Sequence, residues 1–470
     1  MPNTNARKSG LKASLKRGPK RGLKHGSKRG STAQAEAGEV QNGKRAEKCT
    51  GISAFTTMAS CLQTHALRPF LTLLYFGQRG HADMGATTQQ PGAALPALTS
   101  IRFFAALTVA LCHFTGLGLL RLPAHWVQWA DGGWPAVTLF FVLSGFILTL
   151  TYRDTIETHG VRRFYVARAS RIYPVLLLSI VLATIVTLYL LYADDGVLMH
   201  KWYALSNGSY AALAISLLCQ LLLLTAWLPF AALNQPWNGP TWSLSCEAFF
   251  YALFPLLLRK IVLCRVRTLV ISCLALWILQ GAWILVVARV FPARRSGFII
   301  SQFPISHLFE FVLGACTAIA FLTMRSRAKK THGMGMLLVG ASLVAIAVLA
   351  YTQPVKPAYF LESPAFDALI LGLALLERPV IGLLNSRWLV RLGEASYGFY
   401  LIHVPLAHLA FIAGFRVSNG WIALIFTICC SVVIFQYFEE PMRKRVKARF
   451  AQPKSSSEPG LRNIAPRIPS

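Results

Sequence analysis

Arg102 and His113 are the only basic residues between Leu98 and Leu120, and no acidic residue accompanies them. A helix turns about 100° per residue, so eleven positions bring both side chains to one face, about 16 Å apart along the axis. An imidazole can accept a proton from a hydroxyl group near neutral pH. Singly, these residues are more often a snorkelling arginine and a hydrogen-bonded core histidine. Because both side chains lie on one face of the helix, a functional role is favoured over these two structural explanations.

Arg168 and Arg171 form a second basic pair, followed directly by Ile-Tyr-Pro174. Residues three positions apart lie on the same face of a helix. Arginine binds phosphate groups with two parallel hydrogen bonds, so the pair could clamp a phosphate. Ordinary positive charge flanking a membrane helix explains it equally well.

The stretch Trp242-Ser-Leu-Ser-Cys-Glu247 brings a carboxylate into an otherwise uncharged run, just after the helix-breaking Asn238-Gly-Pro240. Ser243 and Glu247 are neighbours one helical turn apart. Glu247 could orient a histidine or polarise a hydroxyl group. The alternative is a structural hydrogen bond between helices.

Tyr397, Tyr400 and His403 follow one another at intervals of three and predict a polar strip on one helix. Tyrosines also anchor helices at membrane interfaces, so a structural origin is equally compatible with this strip. Glu310 and Asp367 are further acids in apolar segments and have no evident partner in the sequence.

The elements that must position these residues are membrane helices. The chain has 470 residues, of which 54% are hydrophobic and 14% charged. Runs such as Val175–Leu191, Val270–Ala288 and Trp421–Phe438 contain no charge. A helix needs about 20 apolar residues to cross a bilayer, and a barrel would alternate instead. The predicted fold class is an all-α, polytopic transmembrane bundle.

Eleven apolar segments are predicted, at about 99–120, 135–152, 174–193, 209–230, 242–258, 268–290, 304–324, 334–351, 364–376, 396–414 and 420–438. Basic loops at 153–171, 259–267, 325–330 and 378–391 and the tail from Arg443 place both termini in the cytoplasm. Three apolar segments lie between the first two basic loops. If both loops are cytoplasmic, the chain between them must cross the membrane an even number of times, so one of the three segments does not cross fully. We therefore expect ten spans and one irregular or re-entrant segment, either 209–230 or 242–258.

Residues 1–95 are predicted to be a basic, disordered cytoplasmic tail, 96–445 the transmembrane domain and 446–470 a second cytoplasmic tail. The net charge of +29 lies mostly in the first tail and beside apolar runs, which favours membrane orientation over nucleic-acid binding. The ten cysteines show no metal-ligand spacing, so no metal site is predicted.

Over residues 97–445 the chain resembles the acyltransferase-three family of membrane acyltransferases. The resemblance rests on five motifs in order: Arg102 and His113 with ten residues between them, Leu139-Phe-Phe-Val-Leu-Ser-Gly-Phe146, Arg168-x-x-Arg171-Ile-Tyr-Pro174, Trp242-Ser-Leu-x-x-Glu247 and Ser396-Tyr-x-x-Tyr-Leu-x-His403. Members of this family move acyl groups, often acetyl, from a cytoplasmic donor to sugars of the cell envelope.

The resemblance implies a role for each motif. His113 would be the catalytic base, with Glu247 steering it. The donor, acetyl-CoA or another acyl-CoA, would be bound as a substrate by Arg102, Arg168 and Arg171, and no permanently bound cofactor is expected. The acceptor would be a carbohydrate or glycolipid at the bacterial inner membrane. Its predicted contacts are Trp242, Ser243, Tyr397 and His403.

Two other classes of protein remain open from the residues alone. A transporter or flippase would also carry intramembrane charge and a broken helix, although no inverted repeat is visible. A non-enzymatic membrane sensor is the third possibility.

Overall fold

The computed structural model describes residues 95–124, 126, 133–327, 331–352, 359–376 and 382–450, and within these ranges every regular element is helical. The all-α fold class is therefore confirmed. The predicted tail before Leu95 and the tail beyond Phe450 lie outside the described residues.

The principal helices are α1 (Pro96–Gly116), α2 (Trp134–Tyr152), α3 (Val161–Tyr192), α4 (Tyr210–Leu221), α5 (Trp242–Leu263), α6 (Val266–Val290), α7 (Leu308–Arg327), α8 (His332–Thr352), α9 (Ser363–Leu375), α10 (Arg387–Ile412), α11 (Gly420–Ile434) and α12 (Glu440–Arg449). Short helices lie at Ile156–His159, Gly196–Tyr203, Ala231–Asn234 and Ala293–Gln302. A π-helical turn, Phe435–Glu439, joins α11 to α12.

Eight helices in the described part of the chain are long and apolar enough to cross a membrane: α1, α2, α3, α6, α7, α8, α10 and α11 with its continuation. The protein is thus a multi-pass membrane bundle. The expected segments 242–258 and 364–376 correspond to α5 and α9. The 13 residues of α9 span only about 20 Å, less than the hydrocarbon core. The count of ten full crossings remains a prediction.

The irregular segment is the one predicted at 209–230. Helix α4 ends after 12 residues, and the chain continues to α5 through short turns. The backbone of this stretch is left-handed at Leu223 and Trp237. Its carbonyls find side-chain donors: the Ser245 hydroxyl donates to Leu223, and the indole of Trp237 donates to Leu213 of α4. Irregular backbone inside a bundle is tolerated when its polar groups are satisfied in this way.

Asn238 ties this broken segment to two long helices. Its side chain is fully buried and donates both to the Ser179 hydroxyl of α3, at 3.1 Å, and to the Leu401 carbonyl of α10, at 2.8 Å. The residue that was expected to break the helix is therefore also a cross-link. It places the start of α5, with Trp242 and Ser243, against the middle of α10.

Glycines allow the closest helix contacts. A methyl group on Gly145 of α2 would overlap the Phe311 carbonyl of α7, and one on Gly314 would overlap the Val142 carbonyl. On α10, a methyl group on Gly393 would overlap the Thr99 carbonyl of α1. Small residues at such positions let helix backbones approach closely, which is the usual basis of helix packing in membranes.

Gly393→Ala should therefore separate α1 from α10 and destabilise the protein by about 1–3 kcal/mol or more, since overpacked contacts cost this much. Thermal unfolding of detergent-purified protein measures the effect. The control is Gly340→Ala in α8, where an added methyl group meets no atom within 4 Å. Equal midpoints for the two variants would contradict the proposed close contact.

Candidate active site

A cavity of about 450 Å³, including its open mouth, lies between α1, α2, α3, α5 and α10. Its lining residues are Arg102, Val137, Phe140, Phe141, Arg171, Ser243, Leu244, Glu247, Ser396, Tyr397 and Tyr400. All five sequence motifs therefore contribute at least one residue to this cavity, from positions as far apart as 102 and 400.

The two arginines of the cavity carry charge without close partners. Neither Arg102 nor Arg171 forms a hydrogen bond or an ion pair within 4.0 Å to another residue of the described part, although both lie in the field of Glu247 and Glu439. The Arg171 guanidinium stands 5.9 Å from the centre of the Tyr397 ring. Half-buried guanidinium groups that line a cavity are suited to binding an anion.

Glu247 is held by the hydroxyl of Tyr251, which donates to Oε2 at 2.7 Å. The two residues are one turn apart on α5, so the bond follows from helix geometry. Glu247 lines the same cavity as the two arginines. It places a carboxylate in the same lining as the two arginines, with one of its oxygens already oriented by Tyr251.

Arg168 is directed elsewhere. Its Nη2 donates to the Tyr152 hydroxyl at 3.0 Å, and its guanidinium lies within 6.0 Å of the rings of Tyr152, Phe164 and Tyr251. It does not contribute to the cavity lining, unlike Arg171 one turn further along α3. A direct contact of Arg168 with the donor stays a prediction. In the structure it supports Tyr251, and through it Glu247.

Ser243 and Tyr400 join α5 to α10 at the cavity wall. Their hydroxyl groups are 2.9 Å apart, and each also lies within hydrogen-bond distance of the Pro240 carbonyl. Trp242 lies behind this wall, with its ring centre 5.1 Å from that of Trp134 and 5.7 Å from that of His307. Ser243 thus faces the cavity, whereas Trp242 supports it.

His113 and His403 form a pair one helical turn beyond Tyr400. The Nε2 of His403 lies 3.2 Å from the Nδ1 of His113. Each Nδ1 also contacts a backbone carbonyl, Val109 for His113 at 2.9 Å and Tyr400 for His403 at 2.6 Å. His113 thus contacts α10, whereas Arg102 lines the cavity. The contact of His403 with an acceptor stays a prediction, since both its ring nitrogens touch protein atoms.

Glu439 and the partners of two other acids were missed by sequence reasoning. Glu439 is 2% exposed in the π-helical turn, and its Oε2 has no hydrogen-bond partner in the described part. The signal that could have indicated it is a carboxylate that directly ends the apolar run 421–438. Glu310 lies 3.4 Å from the imidazole of His307, and Asp367 accepts from the Thr317 hydroxyl at 2.6 Å.

Residues 95–438 match the profile of the family described as the acyltransferase domain, acyltransferase 3. The acyltransferase MdmB of Streptomyces mycarofaciens is 32% identical over 344 residues, which cover 66% of this chain and 78% of that protein. The peptidoglycan O-acetyltransferase OatA of Listeria monocytogenes is 22% identical over 388 residues, 77% of this chain and 58% of that protein. The O-acetyltransferase OatA of Staphylococcus aureus is 22% identical over 389 residues, 77% and 60%.

The chain therefore spans less than two thirds of the length of both O-acetyltransferases. No solved structure matches it.

The Ser243–Tyr400 contact can be measured by a double-mutant cycle. Ser243→Ala and Tyr400→Phe should each destabilise the protein by about 0.5–1.5 kcal/mol, because each removes the hydrogen bond between the two hydroxyl groups while the remaining hydroxyl group can still donate to the Pro240 carbonyl. The double variant should be more stable than the sum of the single losses, with a coupling of about 0.5–1.5 kcal/mol. Additive losses in thermal or denaturant unfolding would show that the two hydroxyl groups do not interact.

Proposed function

The chain belongs to the acyltransferase-three family, and from this membership we propose that it transfers an acyl group, acetyl in the simplest case, from a cytoplasmic acyl-CoA to a hydroxyl group of an envelope carbohydrate. The observation that carries the proposal is the juxtaposition of a cavity lined by two arginines, which form no ion pair with any described residue, and a histidine pair one helical turn away. The first can bind an anionic donor, and the second can accept the proton of a hydroxyl group.

The donor enters from the cytoplasmic side in this proposal. Arg102 and Arg171 bind phosphate oxygens of the acyl-CoA, because both line the cavity and neither contacts a carboxylate in the described part of the chain. Arg168, Tyr152 and Tyr251 form the next layer. The thioester arm extends past Tyr400 towards His113. This places the thioester carbon near the histidine pair, about 16 Å along α1 from Arg102.

The chemical step is a single acyl exchange. His113 takes the proton of the acceptor hydroxyl while the oxygen forms a bond to the thioester carbon. The bond from carbon to sulfur breaks, and the CoA thiolate leaves and receives the proton. Glu247, oriented by Tyr251, interacts with the donor side of the reacting group.

The acceptor is proposed to be a carbohydrate hydroxyl on the far side of the bilayer. One relative is named for peptidoglycan, which makes that polymer a candidate, whereas the more similar MdmB is named only as an acyltransferase. The proposed acceptor contacts Ser243 and Tyr397 line the same cavity as the donor-binding arginines, so an acceptor that reaches them enters this cavity beside the thioester arm. Trp242 lies behind them and His403 beside the base.

Orientation follows from charge. The basic residues of α12, including Arg443, Lys444 and Arg445, flank the end of the α11 span. Clusters of Lys and Arg beside a span favour the cytoplasm, so we assign both termini to that side of a bacterial inner membrane.

His113→Ala should lower transfer by at least about 100-fold, the smallest effect usual for removing a general base. The purified protein is incubated with acetyl-CoA labelled in the acetyl group, and label in water or in added glycan is counted. The variant should still insert and bind CoA. Near wild-type turnover would remove His113 from the chemistry, and no turnover by the wild type with any acceptor would favour a transporter instead.

Arg171→Gln should raise the KM for acetyl-CoA by at least about ten-fold, since hydrogen bonds to charged groups contribute about 1.5–3 kcal/mol. Arg162→Gln, on an exposed position of the same helix α3, is the matched control and should leave KM unchanged. Titration of CoA against each variant gives the same comparison without turnover. If only the KM for the acyl acceptor increased, Arg171 would belong to the acceptor site and not to the donor site.

A further inference from the structure

The carbonyl partners of His113 and His403 determine which ring nitrogens carry protons. A carbonyl oxygen only accepts, so a nitrogen at hydrogen-bond distance from it must donate. Nδ1 of His403 therefore carries a proton directed at the Tyr400 carbonyl, 2.6 Å away. Nδ1 of His113 carries one shared between the Val109 carbonyl, at 2.9 Å, and the Nε2 of His403, at 3.2 Å.

The opposite arrangement is excluded by lone pairs. If His403 donated from Nε2 to His113, the Nδ1 of His113 would need a free lone pair, which would then face the Val109 carbonyl oxygen at 2.9 Å. A neutral His403 with its proton on Nε2 would likewise face the Tyr400 carbonyl with a lone pair. Only the first assignment satisfies every contact while both rings are neutral.

This assignment leaves one nitrogen available for chemistry. Nε2 of His113 bears the lone pair, and it has no hydrogen-bond partner among the residues that the structure describes. His113 is half-buried, whereas His403 is fully buried on α10. The reacting hydroxyl group must therefore meet His113 at Nε2, on the side of the ring away from His403.

We propose that the base is a histidine pair in which His403 is a positioning residue. It holds His113 in the tautomer with its proton on Nδ1, and it stabilises the imidazolium that forms when Nε2 gains a proton. The proposal rests on the proposed acyl transfer and names a second residue for it. During acyl transfer, the O–H bond of the acceptor breaks and an N–H bond forms on Nε2 of His113. The Nδ1–H group of the now charged ring then makes a stronger hydrogen bond to His403.

A second imidazole is needed because no carboxylate accompanies the first. Within the described ranges, no carboxylate oxygen lies within 4.0 Å of the ring nitrogens of His113 or His403; the one histidine ion pair there is His307 with Glu310. A new positive charge in a low-dielectric interior is costly unless acceptors surround it. The chain from His113 through His403 to the Tyr400 carbonyl supplies such acceptors, and its hydrogen bonds polarise one another.

The test compares two substitutions of His403. Gln carries an oxygen near the position of Nε2 and can accept the His113 proton, whereas Leu of similar size cannot. His403→Gln should keep kcat within about ten-fold of wild type, and His403→Leu should lose about 100-fold or more, the range of a misoriented base. KM for acetyl-CoA should stay unchanged in both, because the arginines that bind it are untouched.

His408 provides the matched control. It is a buried histidine on the same helix, and its ring stacks on Trp202 with 4.0 Å between ring centres. His408→Gln and His408→Leu should have the same kcat as each other, because no hydrogen bond of His113 depends on the side chain at position 408. A similar Gln-to-Leu difference at position 408 would mean that the effect at 403 is one of packing, and would overturn the assignment.

Nitrogen-15 NMR of histidine-labelled protein tests the pair without turnover. In the wild type and in His403→Gln, His113 should show its proton on Nδ1, and in His403→Leu a mixture of tautomers. A wild-type signal with the proton on Nε2 overturns the proposal even if the variants fail to fold. If the NMR result holds but the wild type transfers no acyl group, the proposed function has failed and the pairing has not.

Discussion

The contact between α1 and α10 is the constraint on which the rest of the site depends. It begins where Gly393 lets the Thr99 carbonyl approach, and the Ser100 hydroxyl, which donates to the Leu384 carbonyl at 2.6 Å, secures the same end. It continues through the tilted rings of Phe103 and Phe399, 6.2 Å apart, to the two histidines. The close approach at this end and the histidine contact at the other are thus parts of one interface between the same two helices.

Around the contact between α1 and α10, the bundle contains ionisable side chains at positions where apolar side chains would be more stable. Arg102, Arg171, Glu247 and Glu439 lie among apolar helices, where an ionisable group costs several kcal/mol at mid-membrane depth. The Glu247–Tyr251 bond satisfies part of this set, whereas Oε2 of Glu439 has no hydrogen-bond partner among the described residues. Unsatisfied buried groups of this kind are expected where a protein gives up stability for function.

The broken segment before α5 has a related purpose. Continuous helix there would have directed the side chains of Trp242 and Ser243 by helical periodicity alone. The turns at Asn238–Thr241 instead bring the start of α5 against α10, and Asn238 donates to both α3 and α10. The cavity wall formed by Ser243 and Tyr400 exists because this segment does not cross the bundle as a regular helix.

The sequence by itself determined the helices and the local alignments. Uncharged runs long enough to cross a bilayer predicted the all-α bundle, and the spacing of Arg102 and His113 predicted their common face, because both depend only on helical rise and periodicity. The motif residues were also evident as polar groups that membrane segments rarely carry. These features act within one helix, so they can be deduced from residue spacing.

Only the tertiary structure decided which of these residues meet. His113 and His403 are 290 residues apart, and Ser243 and Tyr400 157. Arg168 and Arg171 look equivalent in the sequence, but the first turns to Tyr152 and the second to the cavity. The distribution of basic loops did not decide whether 209–230 or 242–258 is the irregular segment, and the structure shows that it is 209–230. Such outcomes depend on how helix surfaces fit together, which periodicity along one helix does not encode.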